Sequence, residues 1–78
     1  MNIGTRVTLT TFLGAVLLDG PHGRFAISVP PGTGGEVVEV PDGILPEGWF
    51  AVRPDAPYDV DAAGRPVVVP CTTAWCRP

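Results

Sequence analysis

Residues 34–53 read G-G-E-V-V-E-V, then P-D-G-I-L-P-E-G, then W-F-A-V-R. Two short runs rich in β-branched and aromatic side chains flank an insert with two prolines and two glycines. Such runs, bounded by turn residues, mark neighbouring strands rather than a helix. A further run, P-V-V-V-P-C, occupies 66–71. Strand, loop, strand, loop, strand, with almost no helical periodicity, predicts a very small all-β barrel. Barrels of that size serve as scaffolds that present binding surfaces on their loops.

Working outward, T-R-V-T-L-T at 5–10 alternates, with Val7 and Leu9 on one side and Arg6, Thr8 and Thr10 on the other. Residues 12–18 carry little polarity and predict a second strand after a kink at Gly14. D-G-P-H-G at 19–23 is a dense turn signal. R-F-A-I-S-V at 24–29 alternates again, with Phe25, Ile27 and Val29 on one face. Runs 15–18 and 24–29 are therefore expected to pair as a hairpin. Pro30 and Pro31 cannot donate to a central ladder, so pairing stops there. In 35–40, Val38 and Val40 share one face and Val37 takes the other. In 49–53, Trp49, Ala51 and Arg53 oppose Phe50 and Val52. Burying Phe50 and Val52 is the simplest solution, and it leaves Trp49 partly exposed. The polar connection 54–66 has Tyr58 and Val60 as its apolar anchors. The last strand is 67–69, closed by Pro70, and 72–75 suits a single 3-10 turn that plugs the barrel end.

The bulk numbers agree. Seventy-eight residues make one domain, 1–78, near the small end of what folds alone. One core that size leaves a thin margin, which favours a staple or a second copy. A hydrophobic fraction of 45% argues against disorder. Ten glycines and ten prolines without a repeat exclude collagen-like and linker readings. The net charge is −3, and the five basic residues are all arginine and scattered (Arg6, Arg24, Arg53, Arg65, Arg77). Phosphate binding needs clustered positive charge, so nucleic acid is disfavoured as a partner. All-arginine usage with abundant Gly, Pro, Ala and Val fits a GC-rich genome. Arg6 followed by the apolar run 7–18 has the outline of a signal peptide. It lacks an A-x-A cleavage site and is too short to span a bilayer as a helix. It is read as strands, in a cytoplasmic protein without a membrane association.

The chemistry-bearing residues are few. Cys71 and Cys76 predict either two buried reduced thiols, the favoured reading, or a small-loop disulfide. His22 is the only histidine, so no ordinary four-ligand zinc set is complete. It sits in a Pro-His-Gly turn and reads as exposed and idle, whereas catalysis needs a nucleophile, a base and an orienting group within reach. The acids Asp55, Asp59 and Asp61 form a loose patch, and the pairs Glu36/Glu39 and Asp59/Asp61 read as solvated surface. G-T-G-G at 32–35 has no lysine and precedes a strand, which excludes a phosphate loop. Cys71-x4-Cys76 is not the redox C-x-x-C spacing. The expectation is a protein without catalytic activity, cofactor or metal. Tryptophan and arginine are enriched at binding hot spots, which selects Trp49, Trp75 and Arg53. The run 15–18, read as an unpaired edge, is a second route to association.

The order of these runs resembles an SH3-like barrel. G-G-E-V-V-E-V is similar to the strand after the long first loop of that family. W-F-A-V-R resembles its next strand, and V-V-V-P followed by C-T-T-A-W resembles its closing strand, proline and 3-10 turn. T-R-V-T-L-T with P-P-G-T-G-G-E-V-V-E-V is also similar to small bacterial and phage SH3-like proteins. The likeness covers roughly two thirds of the chain. It lacks the aromatic first-loop stretch of proline-peptide binders, and residues 11–29 read as an inserted hairpin. The resemblance implies five or six short antiparallel strands, an extra N-terminal hairpin and a groove at Trp49, Pro70 and Trp75. It further implies a protein-interaction module from a phage or plasmid that acts on a host protein. The alternatives are a KOW-type nucleic-acid binder and a self-assembling virion part, the latter a homo-oligomer.

Overall fold

The structure, a computed structural model, describes residues 2–17, 26–41 and 43–78. Its regular elements are seven strands: β1 (Arg6–Leu9), β2 (Leu13–Leu17), β3 (Ile27–Val29), β4 (Gly34–Val38), β5 (Phe50–Pro54), β6 (Val67–Cys71) and β7 (Cys76–Arg77). They form one antiparallel sheet in the order β3-β2-β6-β5-β4-β1-β7. The described residues contain no helix. The protein is therefore all-β, as the valine-rich runs predict.

The centre of the sheet is the meander β4-β5-β6. Val37 sits opposite Val52, and Val52 opposite Val69. All three are fully buried, and each such side chain contributes about 1.5–3 kcal/mol by leaving water. Val7 and Leu9 of β1, Ala15 of β2, Val29 of β3 and Cys76 of β7 enter the same core cluster. Strands at both ends of the order thus reach one core, so the sheet curls on itself. It stays open, since β3 and β7 are its two edges and are not paired.

Close approach of backbones explains the glycine pair that opens β4. A Cβ on Gly35 would lie 2.5 Å from Val52 Cγ1 and 2.8 Å from the Arg53 carbonyl oxygen. Gly32, just before the strand, holds φ at +89°, which L side chains avoid. The G-T-G-G stretch is thus a turn entering a strand.

Several expectations are corrected. The sheet has seven strands rather than five or six, and it is not closed into a barrel. β2 is interior, paired to β3 through Leu13↔Val29 and to β6 through Val16↔Val68. The edge proposed at 15–18 is therefore occupied over its described part. The strands of the expected hairpin do pair, but its connection 18–25, with His22, Arg24 and Phe25, lies outside the described residues. β6 runs through Pro70, which faces Ala51, to Cys71. β2 pairs only with Val67 and Val68, so beyond them β6 has one flanking strand, and a residue without an N–H is tolerated there. Residues 72–75 form a single turn closed by an i→i+3 bond, Trp75 N donating to Thr72 O at 3.1 Å, but it leads into a further strand instead of plugging a barrel end. The unforeseen β7 then pairs with β1.

Candidate functional site

The turn after β6 and the segments entering β2 and β5 meet at one end of the sheet. Trp49 N donates to Pro46 O at 3.1 Å, which closes the turn that delivers Trp49 to β5. Phe50 faces Cys71 across the β5–β6 ladder, so Trp49 points toward the turn beyond β6. Trp75 O accepts from Thr10 N at 2.9 Å, which ties that turn to the segment just before Phe12. The two tryptophan rings meet edge to face, with centroids 5.2 Å apart and planes at 82°. Such a contact contributes about 0.5–1.5 kcal/mol beyond the area it buries.

Around this pair lies an open, mostly apolar groove of about 330 Å³, lined by Phe12, Leu13, Gly14, Trp49, Pro70 and Trp75. Both tryptophans are half-buried, neither core nor fully solvent-facing. Phe12 is 67% exposed, unusual for so large an apolar side chain beside a cleft. Trp49, Pro70 and Trp75, singled out in the sequence, thus come together. Arg53 does not line the groove. It stands on the outer face of β5 beside Glu36 of β4. The sequence reading missed Phe12, Leu13 and Gly14 because it absorbed them into a strand. The usable signal was Phe12 itself, an aromatic immediately before the β2 run.

The outer face carries charge of a different kind. Arg6 forms a two-pronged ion pair with Asp55, Nη1 to Oδ1 at 2.9 Å and Nη2 to Oδ2 at 2.6 Å. The hydrogen bond from Arg6 holds the Asp55 pKa below the usual carboxylate range, and the same bond raises that of Arg6. Arg6, Glu36 and Arg53 are cross-strand neighbours on β1, β4 and β5, so the positive charges there alternate with negative ones.

Asp61 corrects the reading of a solvated acidic patch. Its side chain is buried, and Oδ1 accepts from Ala63 N at 2.9 Å and Arg65 N at 2.8 Å. Oδ2 accepts from Arg65 Nε at 2.8 Å and lies 2.8 Å from Arg65 Nη2 in an ion pair. The backbone N–H of Arg65, then the Arg65 side chain and Ala63 N–H, lower its pKa against the cost of burial. This carboxylate organises the loop 61–65 instead of facing a ligand.

Cys71 and Cys76 are free and buried. Burial, and then the neighbouring Cys76 thiol, push the Cys71 pKa up to about 12. Among the described residues no group of three or more His, Cys, Asp or Glu is placed to hold a metal ion. No described helix is long and apolar enough to cross a membrane. Compared with protein-family models, with curated proteins and with solved structures, the chain finds no match in any of the three.

Proposed function

We propose that this protein is a non-enzymatic protein-interaction module that takes its partner in the groove between Trp49, Trp75, Pro70 and Phe12. The observation that carries the reading is the exposure of Phe12 beside the half-buried tryptophan pair. Aromatic side chains that are rigid yet accessible are what binding hot spots use. A small domain rarely leaves them at a cleft without an occupant. An SH3-like arrangement is part of the same proposal. It is supported by the consecutive pairing β4-β5-β6 of the three runs that carry the resemblance, and by the long β1-to-β4 connection that contains β2 and β3. The open sheet makes this an incompletely closed version. A phage or plasmid accessory protein acting on a host protein in the cytoplasm fits this reading.

A nucleic-acid reading is weaker. Arg6 and Arg65 are already paired with Asp55 and Asp61, and Glu36 stands between Arg6 and Arg53. Such a surface offers phosphates little unpaired charge.

The test is affinity capture from a GC-rich bacterial lysate with the protein, Phe12→Ala and Arg53→Ala, followed by titration of the captured protein in purified form. Saturable binding that survives Arg53→Ala and falls at least tenfold with Phe12→Ala is expected. A partner insensitive to Phe12→Ala, or none at all, overturns the groove reading. Sedimentation over a range of concentrations separates a homo-oligomer from a monomer that awaits a different chain.

A further inference from the structure

The end of β6 and the start of β7 place two thiols side by side. Cys71 ends an interior strand, the chain reverses through the turn at 72–75, and Cys76 begins an edge strand of two residues. Cys71 is 0% and Cys76 7% exposed. Their thiols share one acceptor: Cys71 Sγ donates to Thr72 O at 3.4 Å and Cys76 Sγ to the same oxygen at 3.7 Å. Trp75 N donates to that oxygen as well. A carbonyl offers two lone pairs, so three donors share them. Packing alone does not call for this arrangement, because alanine or valine fills such a site without a donor. Oxidation to a disulfide removes both S–H donors and leaves Thr72 O to the Trp75 amide.

We infer that Cys71 and Cys76 form an oxidisable dithiol, whose disulfide resets the turn that carries Trp75 and thereby the shape of the groove. Hydrogen peroxide or a related hydroperoxide is the oxidant. Cys76 is the entry point. Its strand is a sheet edge, joined to β1 through only Thr8↔Arg77 and Leu9↔Cys76, and such short edges open locally at low cost. The Cys76 thiolate attacks one peroxide oxygen, the O–O bond breaks, and the departing hydroxide takes up a proton to leave as water. The product is a sulfenic acid. The Cys71 sulfur, losing its proton, attacks the Cys76 sulfur; the S–O bond breaks and a second water leaves. Two thiols are oxidised to one disulfide and one peroxide is reduced to two waters. The raised Cys71 pKa keeps the Cys71 thiol neutral in the core, and its burial makes the reaction slow until β7 opens. The effect on the groove rests on the interaction reading above; formation of the disulfide does not.

The experiment treats the reduced full chain with hydrogen peroxide. It follows free thiols under denaturing conditions, mass on a non-reducing gel, and the emission of Trp75 in a Trp49→Phe background. Both thiols are expected to disappear together, within a monomer, and to return with dithiothreitol. A peptide joining Cys71 to Cys76 appears in the digest, and Trp75 emission shifts reversibly in step with thiol loss. Cys76→Ser protects Cys71 from peroxide. Should that variant fail to fold, the wild-type thiol and digest measurements still decide the question. Thiols that survive peroxide while the fold persists, or cross-linked dimers in place of a monomeric disulfide, overturn the dithiol. A disulfide that leaves Trp75 emission unchanged overturns its link to the groove. None of these measurements needs a partner, so a groove that binds nothing fails the capture test and leaves this one standing.

Discussion

The two faces of β4 carry adjacent glycines for opposite reasons. On the inner face, Gly35 lies under Val52 and the Arg53 carbonyl, beside buried Val37. On the outer face, Gly34 lies under the Arg6–Asp55 ion pair, with a hypothetical Cβ 2.8 Å from Asp55 Oδ2 and 3.1 Å from Arg6 Nη2. The inner neighbours are backbone and a β-branched side chain, which have nowhere to go. The outer neighbours are the far ends of long side chains, which swing into solvent. Identical residues one position apart are thus held to very different tolerances by what stands above them.

The largest effect breaks the comparison on the inner side. Gly35→Ala overpacks the β4–β5 ladder and is expected to cost at least about 1–3 kcal/mol, measured as a fall in the urea midpoint. Gly34→Ala has no positive φ to violate, and the unfolded chain loses entropy worth about 0.4–1 kcal/mol. That offsets the displacement of the ion pair, so its midpoint stays near wild type. Equal losses at the two positions would refute the contrast between the faces.

A middle-sized effect belongs to Asp61, a charged residue that behaves like the inner face. Its side chain is 5% exposed, against 50% for Asp55. Asp61→Ala strands the N–H groups of Ala63 and Arg65 and is expected to lower the melting temperature clearly, with Asp61→Asn intermediate. Folding lowers the pKa of this carboxylate, so the native state binds fewer protons than the unfolded one. Its contribution is complete above the ordinary carboxylate value near about 4 and is lost as pH falls through the depressed native value. Acid melting curves of wild type and Asp61→Asn should converge in that window, and parallel curves would remove the assignment.

The smallest effect is the Arg6–Asp55 pair. Both side chains are half or more exposed, and exposed pairs contribute little and are screened by salt. A double-mutant cycle with alanine at both positions should return a coupling smaller than the Gly35 effect, shrinking toward zero in high salt. A large, salt-independent coupling would make the outer face as structural as the inner one.

Much of the fold was legible one strand at a time. Alternation in 5–10 placed Val7 and Leu9 inside, and the burial of Phe50 and Val52 followed from the pattern of 49–53. The limits of β6 were not legible, because a proline reads as a stop until the absence of a flanking strand beside it is known. Ala51 was assigned to the face opposite Phe50 and Val52, yet it is buried too, covered because β4 and β6 flank it through Val38 and Pro70. Asp61 read as surface because five-residue loops look polar whether or not they fold back on a carboxylate. In the candidate site, the tryptophans and Pro70 were read as site residues, whereas Phe12, though visible as an aromatic, was not, because its place beside them is a tertiary fact.

Composition and period-two patterning are local properties, and by themselves they determined that this chain is all-β and which stretches carry six of its seven strands, β7 excepted. Strand neighbours depend on contacts between residues far apart in the chain. Only the tertiary structure decided that β2 lies inside the sheet, that Cys71 and Cys76 meet over one carbonyl, and that Phe12 stands beside Trp49 and Trp75. The physical reason is that hydrogen-bonding edges are interchangeable in a sequence, and the choice among them is made by how the whole set of strands packs around one core.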